Sequence, residues 1–322
     1  MPHLLQSTCL AGLVISAVPV GSISAPDGFA RQGKYQYGPC ANTVVPDYLR
    51  ANFNTSSAGD LPLNIRLYMH IVETNIGDSP AQELLDNQVT VLNSAFNPHG
   101  INFTYSGKTE TYNTTVWTLP YQDFVTTFVP QQRQGEYIDL NLFIHSGLQL
   151  AGIQSTTIDP DNTWGLPPHH GEPHTGLLGV STWPVPTNED LDPYGDSCVI
   201  EAYSLPDESS PVLIANGMTA VHQVGHWLGL LHPFQGKDLN LDGHEENDGC
   251  AEPNDFVPDT VPQKTQTSGC PAWKSTCGNA TVLDNIHNYM DLSAGECLTE
   301  FTPGQGVRMR AVYNNLRVGH KQ

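Results

Sequence analysis

Residues 222–232 read HQVGHWLGLLH, and three histidines in that stretch stand at the spacing of metal ligands. His222 and His226 are four apart, so a helix would put both on one face, within reach of one ion. Gly229 can take a positive φ and end such a helix sharply. The turn would then bring His232 back as a third ligand. Three imidazoles with one coordination position left open are the catalytic rather than the structural arrangement of zinc. The chemistry such a set performs is metal-assisted hydrolysis. It uses a glutamate directly after the first histidine as its base. Here that position is Gln223. An amide has nearly the shape of a carboxylate, but its oxygen is not basic at neutral pH. The spacing therefore predicts a zinc site whose proton-handling group has been replaced.

The elements that must position these residues can be read from periodicity. LNIRLYMHIV (63–72) has strand character, and so do INFTYS (101–106), IDLNLFIHS (138–146), LLGVSTWPV (177–185) and SCVIEAYSL (197–205). Between the first two strands, Ser79, Pro80 and Gln82 form a capping-box pattern with proline at the first helical position. The helix that follows carries Leu85, Val89, Leu92 and Phe96 on one face and should stop near Asn97, Pro98 and Gly100. The histidine helix is expected to run from about Ala215 to Leu228. A last helix begins at a second capping box, Thr302 to Gln305, and shows Met309, Val312, Tyr313 and Leu316 on one face. The loop 147–175 holds His169, His170 and His174, but at no spacing that imitates a helical ligand pair. The acidic run 238–249 begins like an EF-hand with Asp238, Asn240 and Asp242. Gly249 stands where that loop needs a bidentate glutamate, so the EF-hand is rejected and a looser calcium site of oxygen ligands stays open.

Composition narrows the setting. The 322 residues suffice for one large domain or two small ones. Lys and Arg number 13 against 33 Asp and Glu, a formal charge of −20 that disfavours nucleic acid and anionic membrane as partners. Residues 4–24 are apolar and small with no acidic side chain, and Ser22 and Ser24 fit a small-x-small cleavage rule. Residues 1–24 are accordingly expected to be a secretory signal. Residues 25–60 then form either a propeptide or an N-terminal strap. No other run reaches the length of a membrane span. Cys9 falls within the signal, and the six remaining cysteines, an even count, suggest disulfides in a secreted chain. Asn54, Asn102, Asn113 and Asn279 begin glycosylation sequons.

With HNYMDLSAGECLTEFTPGQ at 287–305 added to the histidine motif, the chain resembles the pappalysin-type metzincins, and among them the secreted fungal metalloproteases. The segments IRLYMHIV, VLNSAFNPHGINFTYS, LLGVSTWPV, NDFVPDT and NYMD agree in order over roughly residues 61–316. The resemblance implies an α+β zincin fold. Its upper subdomain (61–232) would hold a mixed twisted sheet and the active-site helix. Its lower subdomain (233–322) would be small, irregular and disulfide-linked. It implies zinc, an extracellular protein or peptide as substrate or ligand, and a monomer. It places Met290 in the turn beneath the metal and pairs Cys250 with Cys277 and Cys270 with Cys297. Cys40 and Cys198 then remain as a third pair, with a thiolate of Cys40 on the metal as the alternative. Calcium is implied near Asp255, Asp259 and Thr260. In such enzymes the glutamate replaced by Gln223 carries a proton from the attacking water to the leaving amine. Tyrosine commonly stands where this chain has Leu292, and its hydroxyl donates to the developing oxyanion. Asp291, Glu245 and Glu246 are the acids that could substitute for the missing base.

Overall fold

The computed structural model describes residues 45–53, 59, 61–147, 178–186, 195–210, 214–235, 249–251, 254–278 and 281–318. The expected signal segment, Cys40, His169, His170, His174, Glu245, Glu246, Asn54 and Asn279 lie outside the described residues.

Five strands form one mixed sheet in the order β2-β1-β3-β5-β4. They are β1 (Leu63–Glu73), β2 (Ile101–Tyr112), β3 (Leu140–His145), β4 (Gly179–Ser181) and β5 (Cys198–Glu201). β1 pairs in parallel with β2 and β3, and β3 with β5; β4 closes the edge antiparallel to β5. The period of two along a strand sends alternate side chains to opposite faces. Ile65, Leu67, Met69 and Ile71 of β1, with Leu140, Leu142 and Ile144 of β3, enter one core. There they meet Leu85, Leu92 and Phe96 of helix α1 (Gln82–Phe96) and Ala220, Val221 and Val224 of helix α2 (Met218–Trp227). On the other face Val72, Phe143 and Val199 pack against Phe124, Phe128 and Val129. With both faces covered, every residue of β3 and β5 is buried.

The expected elements are present with shifted ends. The capping box at Ser79 does not form, because the Ser79 hydroxyl is paired with the Tyr112 hydroxyl at 2.8 Å; α1 starts on Ala81 without a side-chain cap. β2 runs on to Tyr112 because it pairs with β1 along that whole length. β4 is far shorter than 177–185, since Pro184 and Pro186 have no N–H for a ladder. α2 starts three residues later than expected, at Met218, after Gly217 turns the chain with φ +78°.

Among the described residues past α2, a 3-10 turn at Gly295–Cys297 is the one helical element before helix α3 (Pro303–Val312), whose Thr302–Gln305 capping box forms as expected. Disulfides Cys250–Cys277 and Cys270–Cys297 tie this irregular part together. At the other end, Val45 and Leu49 bury themselves against Leu231, Val312 and Leu316. No helix among the described residues is long and apolar enough to cross a membrane.

Candidate metal centre

α2 presents His222 and His226 from consecutive turns of one buried face. Its end is a Schellman turn. The Gly229 N–H donates to the His226 carbonyl at 2.8 Å, and the Leu230 N–H to the Gly225 carbonyl at 2.9 Å. Gly229 has φ +85°, and a Cβ there would lie 2.6 Å from Val312. Glycine is thus required twice at this position, by conformation and by space. The turn brings His232 back onto the other two.

The three Nε2 atoms lie 3.1–3.2 Å from one another. Each Nδ1 faces an acceptor: the Tyr289 carbonyl for His222 at 2.7 Å, the Leu230 carbonyl for His226 at 2.7 Å, and Gln235 Oε1 for His232 at 2.8 Å. Those acceptors fix the proton on Nδ1, so all three Nε2 atoms bear lone pairs aimed at one point. Three lone pairs in contact repel unless a cation stands among them. Tetrahedral Zn–N bonds of about 2.0–2.1 Å give N···N separations of about 3.3–3.4 Å, close to those found. Burial holds His222 down to about 4 and the other two well below the usual histidine range, which keeps the ligands neutral. The donor set fits a metal ion. Among the described residues this is the one such cluster of His, Cys, Asp or Glu side chains.

Met290, which the family resemblance places in the turn beneath the metal, is fully buried against Gly225 of α2. A Cβ at Gly225 would overlap Met290 Sδ, so this glycine, directly before the second ligand, is a close-packing requirement that periodicity did not reveal. Sequence reasoning also missed Gln235 and the carbonyls of Tyr289 and Leu230. Asn288, the residue before Tyr289, exchanges two amide hydrogen bonds with Gln305, of 2.8 and 3.0 Å, and Gln305 is the partner of Thr302 in the capping box of α3.

Gln223 is buried beside the ligands, and its Oε1 has no hydrogen-bond partner among the described residues. The edge strand lies against it: a Cβ at Gly179 would come 2.8 Å from Gln223 Cγ. Leu292 is half-buried, with its N–H on Asp291 Oδ1 at 2.8 Å. Asp291, one of the acids considered for the missing base, is buried and engaged elsewhere. Its oxygens accept from Thr267 N, Leu292 N, Gln263 Nε2 and the Thr267 hydroxyl, deep in the irregular part.

The expected calcium ligands separate. Asp255 and Thr260 come together through a 2.6 Å hydrogen bond. Asp259 instead accepts from Thr302 Oγ1 and Gly304 N at the start of α3. Asp255 Oδ2 is buried without a partner among the described residues, and burial raises this carboxyl to about 7. Cys198 is buried on β5, with Sγ 3.6 Å from the Gln223 carbonyl; its expected partner Cys40 is not described. Of the sequons, Asn113 is exposed and caps a short helix with Oδ1, while Asn102 is half-buried on β2.

A sheet over a two-histidine helix, a glycine turn to a third histidine and a buried methionine beneath them define a metzincin-type metal centre. The family model described as Pregnancy-associated plasma protein-A, of the M43 peptidases, matches residues 204–314. An extracellular metalloprotease of Sordaria macrospora is 34% identical over 261 residues, 79% of this chain and 76% of that protein. One of Podospora anserina is 31% identical over 281 residues, 86% of this chain and 82% of that protein. The solved structure of mature mirolysin from Tannerella forsythia, in complex with a cleaved peptide, superposes with a TM-score of 0.59 at 20% identity. It covers 81% of this chain and 97% of that one. The chain belongs to the pappalysin-type (M43) metalloprotease family.

Proposed function

We propose that the chain is a secreted zinc protein that engages extracellular peptides or proteins and is impaired in cutting them. The observation that carries this reading is Gln223, an amide at the base position beside an intact ligand triad. Zinc held by His222, His226 and His232 supplies a Lewis acid that polarises a carbonyl and acidifies water. The chain's own residues supply the rest. His222, His226 and His232 orient the ion through their Nδ1 partners. Gln223 can hold a water through its amide but cannot take its proton. Loss of a general acid–base group costs about 10²–10⁴ in rate. Leu292 offers no hydroxyl to an oxyanion, and such donors are worth about 10²–10³. Two proton-handling positions are lost while the ligands are kept, which favours binding over turnover. The fungal relatives' names support the extracellular setting. The unpartnered Asp255 Oδ2 is the one observation favouring calcium nearby.

The test is peptidase activity of the zinc-loaded chain on a denatured protein, beside Gln223→Glu and the double variant Gln223→Glu/Leu292→Tyr, each with a chelator control. A silent native chain and a cutting double variant support the proposal. Chelator-sensitive cutting by the native chain that the reversions barely raise overturns it.

A further inference from the structure

Two buried arginines of α3 grip the N-terminal end of the described chain. Arg308 is almost wholly buried and reaches three carbonyls. Its Nη2 donates to Leu49 O at 2.6 Å, its Nη1 to Ala51 O at 2.9 Å, and its Nε to Gly229 O at 2.9 Å. The same guanidinium lies 5.3 Å from the Phe53 ring. Two residues on, Arg310 donates to the carbonyls of Gly59 and Leu61 and, at 3.0 Å, to that of Gly100. Leu49 has no exposed surface, and its neighbour Leu231 directly precedes the ligand His232. Gly229 is the turn residue that swings the chain from α2 to His232.

We infer that Val45–Phe53 is a permanent strap of the metal-binding domain, and that Arg308 is a positioning residue through which the strap steadies the turn carrying the third ligand. A guanidinium offers five donors in a fixed fork, and here the fork bridges strap and turn. Without the strap, two of its three hydrogen bonds and the Phe53 ring are lost, leaving the guanidinium only Gly229 O and the charge of Asp255, an arrangement the fold would have to relax. That relaxation falls on the remaining bond, to Gly229 O. A segment destined for release would not be expected to supply most of the acceptors of a buried cation.

The inference rests on the zinc reading above, so metal content of the native chain is measured first. A protease site is then engineered between residues 53 and 59 of the zinc-loaded full chain. After cleavage, in a Cys40→Ser background so that no disulfide to Cys198 can tether it, the strap is expected to stay with the domain on gel filtration. Leu49→Asp and Arg308→Ala are expected to lower zinc affinity, measured by chelator competition, by about 10–100-fold, the usual effect of losing a partner that orients a ligand. Both should alter the visible spectrum of the cobalt-substituted chain, which a change in global stability alone would not move. Arg308→Lys should not restore the native values, because one ammonium cannot span three carbonyls. If Arg308→Ala fails to fold, Leu49→Asp and the cleaved chain decide. A strap that leaves on cleavage, with zinc affinity and cobalt spectrum unchanged, overturns the inference. A native chain that takes up no zinc sinks the zinc reading instead, and co-elution still decides whether the strap is permanent.

Discussion

The two glycines of the metal helix answer to different physics. Gly229 was legible because a ligand triad split by a turn needs a residue with positive φ. Gly225 lies within regular helix, where glycine is normally unfavourable by about 1 kcal/mol against alanine. Its reason is Met290, whose Sδ occupies the place of a Cβ. Gly225→Ala should therefore destabilise the metal-loaded protein despite its better helix propensity, by about 1–3 kcal/mol of overpacking. The readout is the denaturant midpoint. Adding Met290→Ala should give a double variant less destabilised than the sum of the single changes, since the two share one space. Additive losses would mean that the methionine does not set the limit at Gly225. The ligand partners were illegible for a related reason. A carbonyl belongs to every residue, so nothing in the letters Tyr289 or Leu230 marks the ones that receive an imidazole N–H.

At the scale of elements, the C-terminus of α2 is the critical joint, because its last carbonyls have no partners within the helix. Arg317, fully buried, donates to the Trp227 carbonyl at 2.9 Å through Nη2 and forks onto both oxygens of Asp196 at 2.9 and 3.0 Å. Asp196 also accepts from Trp227 Nε1 at 3.0 Å. One aspartate thus ties the segment before β5, the end of the metal helix and the π-helical stretch Tyr313–Arg317 that continues α3. Asp196 also faces the buried Arg133 side chain at 3.5 Å, so Asp196→Ala should leave two buried guanidiniums without their shared counter-charge and cost at least about 3–5 kcal/mol, the usual result of breaking a buried ion pair. An unfolding free energy lowered by less than about 1 kcal/mol would mean that Arg317 finds water or the Tyr137 carbonyl sufficient. The helices and the strands facing the first core were legible because period 3.6 and period 2 survive in Leu85, Leu92 and Phe96 and in β1. The α3 cap was legible too, as Thr302 and Gln305 satisfy each other locally. The failed cap at Ser79 shows the limit: a hydroxyl 33 residues away outcompeted the local N–H. The buried arginines of α3 and beyond escaped the same reading, since periodicity assigns charge to solvent and their acceptors come from distant chain.

At the scale of the whole molecule, buried imidazoles make stability depend on pH in a direction that can be worked out. Burial lowers His70 and His222 to about 4, and lowers His99, His226 and His232 as well. In the unfolded chain histidines titrate near 6.5. Between those values the unfolded state binds more protons, so stability is full above about pH 6.5 and is lost as pH falls toward 4. Glu73 and Asp255, both raised to about 7 by burial, act the other way, favouring the fold as pH falls over the same range. Five histidines oppose two carboxyls, so the chelated protein should have a lower denaturant midpoint at pH 5 than at pH 7. The comparison belongs at about 1 M salt, where a Debye length near 3 Å screens most of the self-repulsion from a formal charge of −20. Glu73→Gln should steepen the fall, because it removes a group that opposes it. The zinc-loaded protein should fall more steeply still, since protons then compete with the metal for the same three Nε2 atoms. A chelated protein equally stable at pH 5 and pH 7 would mean that the proton uptake of Glu73 and Asp255 matches the penalty on the five imidazoles, and the expected balance would be wrong.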